Sequence, residues 1–294
     1  MSAVAESDAK TSRSYTVDNP RTGAALYEVA EPGTAHIDTV YKRAHEAFEV
    51  WGAMPVQQRL DELDKLKQYI LDHREWIAQR VVEETGKCRT DAMLMEIFPV
   101  LDTIEYYQKR AVKILADEKV ETPLLLAGKK SKVVYEPLGP VLVISPWNYP
   151  FNLSMIPVIC ALVAGNPVIL KPSKLTPLQG VFEQIVEKSG FPPDVLQVVY
   201  ATRHTAGRLI ENRPMKIHFT GSVEAGKQIM AQASQYLIPV ELELGGKDPL
   251  IVFDDVHLER TVNGALWGSM ANCGQTCTSV ERVFVQEGIY DAFA

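Results

Sequence analysis

Residues 139–171 read GPVLVISPWNYPFNLSMIPVICALVAGNPVILK, and the fold turns on how this stretch is parsed. After the Gly-Pro pair, Val141 to Ile144 form a short unbroken apolar run of the kind found in a strand buried on both faces. A loop containing Pro146 and Pro150 separates that run from Phe151 to Ala164, predicted as a helix. Gly165-Asn166-Pro167 then turns the chain into a second apolar run, Val168 to Lys171. Phe151 to Leu170 approaches the length of a membrane span, but Asn152, Ser154, Pro157 and the Gly165 to Pro167 turn interrupt it. A buried helix followed by a buried strand is the better reading. Strand, helix and strand in that order predict a parallel pair joined by a crossover.

Working outward, the alternation continues downstream. A helix is predicted over Leu178 to Lys188, a strand over Leu196 to Val199, a short helix near Gly207, a strand over Lys216 to Phe219 and a helix over Val223 to Tyr236. The fold class is therefore α/β, with a Rossmann-like parallel sheet covered by helices on both faces and ligands expected at the carboxyl ends of its strands. Upstream, Leu60, Leu63, Leu66 and Ile70 mark helical spacing within a helical region from Ile37 to Leu115, which Gly86 and Pro99 are expected to divide. Lys119 to Leu138 reads as a hairpin with a Gly128-Lys129-Lys130 turn, suited to an oligomerisation arm. The first fifteen residues are polar and read as a tail. The resulting division is 1–118, a helical part of the cofactor domain; 119–138, the hairpin; 139–244, a dinucleotide-binding domain; and 245–294, part of a catalytic domain.

With 46% hydrophobic and 23% charged residues, the 294-residue chain has the composition of a folded globular protein. Its formal net charge of -7 offers no long-range attraction to nucleic acid or anionic membranes. Four dispersed cysteines make no disulfide framework, and Glu6 and Asp8 sit in an N-terminal region without an apolar signal segment, so a cytoplasmic location is expected.

Several motifs carry chemistry. Gly221-Ser222-Val223-Glu224-Ala225-Gly226-Lys227 follows a strand and opens a helix, where backbone N–H groups favour phosphate. The spacing is nearly that of a P-loop, which keeps a nucleotide hydrolase in view, but Gln228 stands where a magnesium-binding hydroxyl belongs. An ordinary strand-to-helix turn would use the same glycines. Cys277 lies in a small polar loop, NCGQTCTS, where a thiol can be exposed and reactive. The spacing of Cys273 and Cys277 suits neither a metal nor a redox pair. Glu241 and Glu243 share one face of an apolar strand that runs into Gly245-Gly246; either can serve as a general base. Asn148, in the loop after the first strand, suits an oxyanion donor or an Asx-turn. Lys171 suits phosphate or ribose, or the surface.

The ordered set PWNYP, KPS, FTGS with its downstream glycine, ELGGK and GQTC resembles the aldehyde dehydrogenase superfamily, from Asn19-Pro20 and Gly23 through the cysteine loop. The resemblance implies that Cys277 is the nucleophile, Glu243 the general base and Asn148 the oxyanion donor, with no metal. It implies that Ile144, Ser145, Pro146, Trp147, Lys171, Ser173, Lys174, Gly221, Ser222, Gly226, Leu244 and Gly245 hold NAD or NADP. It also implies an aldehyde as substrate, a carboxylic acid as product because the base is present, and a homo-oligomer. Two departures bear on the cofactor. Lys174 stands where the family often has an acid, and Arg203 lies in Tyr200 to Gly207, where the family is often glycine-rich; both cations would suit a 2'-phosphate. The sequence ends at Ala294, short of the rest of the family's catalytic domain, so the second α/β domain is expected to be incomplete. A non-catalytic dinucleotide-binding fragment is the alternative function.

Overall fold

The computed structural model describes residues 13–203 and 205–294. Most of the expected N-terminal tail lies outside the described residues, and its last part is not a tail. Ser14 and Tyr15 belong to β1 (Ser14–Asp18), which pairs antiparallel with β2 (Ala25–Ala30). Gly23, at φ +71°, closes the turn by donating to the Asn19 carbonyl at 2.8 Å. Buried Val17 and Val29 then pack this hairpin against Tyr200.

Four helical stretches follow: α1 (Thr34–Trp51), α2 (Val56–Asp72), α3 (Arg74–Thr85) and the single turn α4 (Arg89–Asp91). Gly86 ends α3 in the left-handed conformation, φ +75°, as a helix stop should. Pro99 does not divide the chain as expected. It sits in the first turn of α5 (Phe98–Ile114), which continues directly from a π-helical segment, Ala92–Ile97. The amide of Phe98 reaches back five residues to the Met93 carbonyl, and this wider turn takes in a proline whose ring would clash in a regular helix interior. An antiparallel pair, β3 (Glu118–Val120) and β4 (Ser131–Val133), comes next.

The main sheet is built from β5 (Val141–Ile144), β6 (Val168–Lys171), β7 (Leu196–Val198), β8 (Lys216–Gly221) and β9 (Val240–Leu244), ordered β7-β6-β5-β8-β9 with every pairing parallel. Its crossovers contain α6 (Asn152–Val163), α7 (Val181–Ser189), α8 (Ala206–Glu211) and α9 (Val223–Ser234). Strand periodicity explains the two cores. Val141, Val143, Val168 and Leu170 point into a layer with α2, α3, α5, α6 and α7, whereas Leu142, Ile144 and Ile169 point into a layer with α1, α8 and α9. The sequence-predicted Rossmann-like sheet with helices on both faces is thus present.

Strand order reverses at β5, so the loops leaving β5 and β8 diverge and open a crevice at the carboxyl edge. Beyond Gly245-Gly246, β10 (Asp248–Val252), α10 (Leu258–Met270) and β11 (Val280–Val285) form a separate two-stranded parallel unit, and α11 (Tyr290–Phe293) follows. Among the described residues, no helix is long and apolar enough to cross a membrane.

Candidate active site

A cleft of about 1580 Å³ opens along the carboxyl edge of the sheet and runs over α6. The loop after β5 forms one lip. Its amide Ser145 N bonds the Lys171 carbonyl at 3.1 Å, and the Ser145 and Ser154 hydroxyls meet at 2.7 Å, joining the loop to β6 and α6. A buried ion pair fixes the rest. Lys87 pairs with Glu96 and donates to the Asn148 carbonyl at 2.9 Å, while its ammonium lies 4.2 Å from the centre of the Tyr149 ring. Glu96 in turn accepts from the amides of Phe151 and Asn152 at 3.0 and 2.9 Å, groups that have no partner within α6. Burial pushes the Glu96 carboxyl up, and Lys87 acts against that shift.

The opposite lip is the loop between α10 and β11. Asn272, Cys273 and Gly274 are successive left-handed residues, φ +52°, +59° and +73°, and they swing the chain sharply. Asn272 is buried and its amide donates to the carbonyls of Asn148 and Gln275 at 3.1 and 3.3 Å. The two lips are therefore tied together: Asn148 Nδ2 donates to the Gln275 carbonyl at 2.7 Å, and the hydroxyls of Tyr149 and Thr276 meet at 2.8 Å. Cys277 follows, exposed and lining the cleft; Cys273 is also exposed but does not line it. Cys160 borders the cleft as well, half-buried, with burial pushing its thiol up.

Glu243, next to last in β9, lies opposite Thr220 and lines the cleft with Leu244 and Gly245. The next glycine, Gly246, packs so closely that a Cβ would lie 3.0 Å from the Cys277 carbonyl. The segment after the Glu243 strand thus runs directly against the thiol loop. Glu241, which periodicity alone leaves equal to Glu243, is engaged elsewhere. Its carboxylate bonds Lys216 at 2.6 Å, and that ammonium holds it below the usual carboxylate range, an unfavourable state for accepting a proton.

Of the expected cofactor residues, Ile144, Ser145, Pro146, Trp147, Lys171, Ser173, Lys174, Gly221, Ser222, Leu244 and Gly245 all line the cleft. Gly226 does not. It is buried one turn into α9, where a Cβ would lie 3.0 Å from Leu244, so its bareness lets the helix approach the sheet. Ser222 caps α9 by accepting from Ala225 N at 3.2 Å. Gly221 has no room for a side chain, since a Cβ would lie 2.5 Å from the Phe219 ring. Burial lowers the Lys171 pKa to about 8, and Glu31 works against the shift. Arg203 also lines the cleft. Among the described residues, no group of three or more His, Cys, Asp or Glu is placed to hold a metal ion.

The aldehyde dehydrogenase family model matches residues 7–294. The chain belongs to the aldehyde dehydrogenase family. A 4,4'-diapolycopene aldehyde oxidase of a Methylomonas species is 40% identical over 91% of this chain and 50% of the relative. A protein of Sinorhizobium fredii named "Probable succinate-semialdehyde dehydrogenase", with NADP(+) in its name, is 36% identical over 95% of this chain and 57% of its own length. A crystal structure of PnpE in complex with nicotinamide adenine dinucleotide superimposes with a TM-score of 0.90 at 32% identity, covering 96% of this chain and 57% of that one. This aldehyde dehydrogenase chain spans about half the length of the curated relatives it matches. Lys87, Glu96 and Asn272 escaped sequence reasoning. Only Asn272 left a trace there, as an asparagine preceding Cys-Gly in a loop, where left-handed backbone is tolerated.

Proposed function

We propose that this chain carries the dinucleotide-binding and nucleophile-bearing part of an NAD- or NADP-dependent enzyme that oxidises an aldehyde to a carboxylic acid through a thioester on Cys277. The observation that carries the reading is the 2.7 Å bond from Asn148 Nδ2 to the Gln275 carbonyl. An amide nitrogen has two hydrogens. One anchors the thiol loop, and the other is left for an oxyanion forming beside Cys277.

The Cys277 thiolate forms a C–S bond to the aldehyde carbon, and the carbonyl π pair moves onto oxygen. Asn148 Nδ2 and the Cys277 backbone N–H receive that charge. A dinucleotide held by Lys171, Gly221 and Ser222 would supply the two-electron acceptor for the aldehyde hydrogen, and the oxyanion pair then re-forms the carbonyl of the thioester. Glu243 then accepts a proton from water, the water oxygen attacks the thioester carbon, and cleavage of the C–S bond regenerates the thiolate. The fit of a dinucleotide is supported by the α9 N-terminus and side-chain-free Gly221 at the crevice, with Lys171 lining the same cleft. Lys174 and Arg203, which line the same cleft, support tolerance of NADP. The exposed Leu124 and Leu125, between β3 and β4, support a homo-oligomer, and four free cysteines support a cytoplasmic setting.

An activated ester such as p-nitrophenyl acetate tests the chemistry without cofactor. Peptide mapping should place the acetyl group on Cys277. Glu243→Gln should keep the initial nitrophenolate burst and slow the subsequent acyl release by about 10²–10⁴-fold. Acylation of Cys273 or Cys160 in place of Cys277, or unchanged release in Glu243→Gln, would refute the assignment.

A further inference from the structure

Arg59 lies on the buried face of α2, in the stripe that carries Leu63, Leu66 and Ile70, and is 5% exposed. Its guanidinium has no hydrogen-bond or ion-pair partner among the described residues, and Nε is sealed from solvent with no acceptor. Burial lowers its pKa and no neighbouring carboxylate opposes the shift, yet an arginine side chain stays charged in a protein. A buried cation without a counter-charge is among the most costly features a fold can contain.

The arginine borders the same cleft, but at the other edge of the sheet from Cys277. Pro137 and Gly165, which meet the guanidinium, and the next residues in the chain, Leu138 and Asn166, precede β5 and β6, whereas Asn148 and Lys174 follow them. Gly165, at φ +90°, makes room for the guanidinium, since a Cβ there would lie 2.0 Å from Arg59 Nη1. Asn166 supplies a second donor. Its Oδ1 accepts from the amides of Leu138 and Gly139 at 2.6 and 3.1 Å, which orients the side chain and leaves Nδ2 without an acceptor among the described residues. Val56, Leu115 and Pro137 give the adjoining wall its apolar surface, beside Tyr135, whose hydroxyl bonds Glu118, and the exposed Glu136.

We infer that Arg59 and Asn166 form a binding site for a carboxylate whose aliphatic carbons lie along this apolar wall. A single guanidinium neutralises one carboxylate and matches its planar fork. A phosphate, with charge near -1.5 to -2, would bring a second charge that a single guanidinium leaves unmatched. The carboxylate belongs either to a free acid or to a side chain of a neighbouring polypeptide. The inference does not rest on the reaction proposed for Cys277.

Butanoate is the probe, inorganic phosphate the control, and Arg59→Met the variant. Without ligand, Arg59→Met should melt at or above the native temperature, because it removes an uncompensated buried charge. Native chain should be stabilised saturably by butanoate and not by phosphate, and the variant should bind butanoate about tenfold more weakly or less. Sedimentation separates the sources. Self-association that butanoate reverses and Arg59→Met abolishes assigns a neighbouring polypeptide; butanoate binding with no Arg59-dependent association assigns a free acid. The inference is overturned if neither effect occurs, if the variant responds like the native chain, or if Arg59→Met fails to fold.

Discussion

Lys171 ends β6 with its ammonium buried enough to bring its pKa down to about 8, even with Glu31 opposing the shift. It is therefore a cation below that pH and neutral above it. If Lys171 holds a dinucleotide oxygen, affinity should fall as pH rises through about 8, by about tenfold or more for a lost charge-assisted hydrogen bond. Lys171→Arg, charged throughout, should flatten the profile. Fluorescence titrations with NADH and NADPH from about pH 6.5 to about pH 9 decide it, and a profile shared by both proteins sinks the role. The stability linkage has its own sign. Because the folded pKa lies below the ordinary 10.5, the unfolded chain binds more protons between about 8 and 10.5, so this residue makes folding more favourable as pH rises across that window.

The loop between β5 and α6 is held as a unit by the Lys87–Glu96 pair, which satisfies a loop carbonyl and two helix-terminal amides together. Breaking such a pair leaves an uncompensated buried charge and typically costs about 3–5 kcal/mol, whereas replacing both partners by apolar groups is often nearly neutral. Lys87→Met should therefore lower denaturant stability by about that amount, and adding Glu96→Met should recover much of it. Even so, the double variant should acylate Cys277 more slowly than the native chain, because Asn148 loses the ammonium that holds its carbonyl. Native acylation rates in a stable double variant would show that the pair serves stability alone. The π-helical segment Ala92–Ile97 belongs to the same unit, since it carries Glu96.

Taken over the whole molecule, apolar surface remains open on the β3–β4 hairpin and on α10. Leu124 and Leu125 are 90% and 97% exposed between β3 and β4, and Trp267 is 68% exposed on α10, a helix with no buried residue. Covering such surface is worth about 25 cal/mol per Å², and contiguous apolar patches mark association sites. The purified chain should self-associate with rising concentration, and added salt should not reverse this as it would an ion-paired contact. Leu124→Ser together with Leu125→Ser should weaken the association. Sedimentation velocity across a concentration series provides the check, and a strictly monomeric native chain would contradict the expectation.

The alternating run from Val141 to Phe219 was enough to predict the parallel sheet, because short β-branched strands separated by helical periods leave little choice of architecture. Local motifs likewise pointed to Cys277, Asn148 and the pair Glu241 and Glu243, between which only the family resemblance chose. Contacts across the fold were not legible. The β1–β2 hairpin depends on packing against Tyr200, and the passage of Pro99 depends on a π turn that propensity does not foresee. Glu243 is separated from Glu241 only by Lys216, which lies on the neighbouring strand. Lys87, Glu96 and Arg59 look in one dimension like ordinary helix-surface charges; which were paired, and which was left bare, was decided by burial and distant partners that only the tertiary structure supplies.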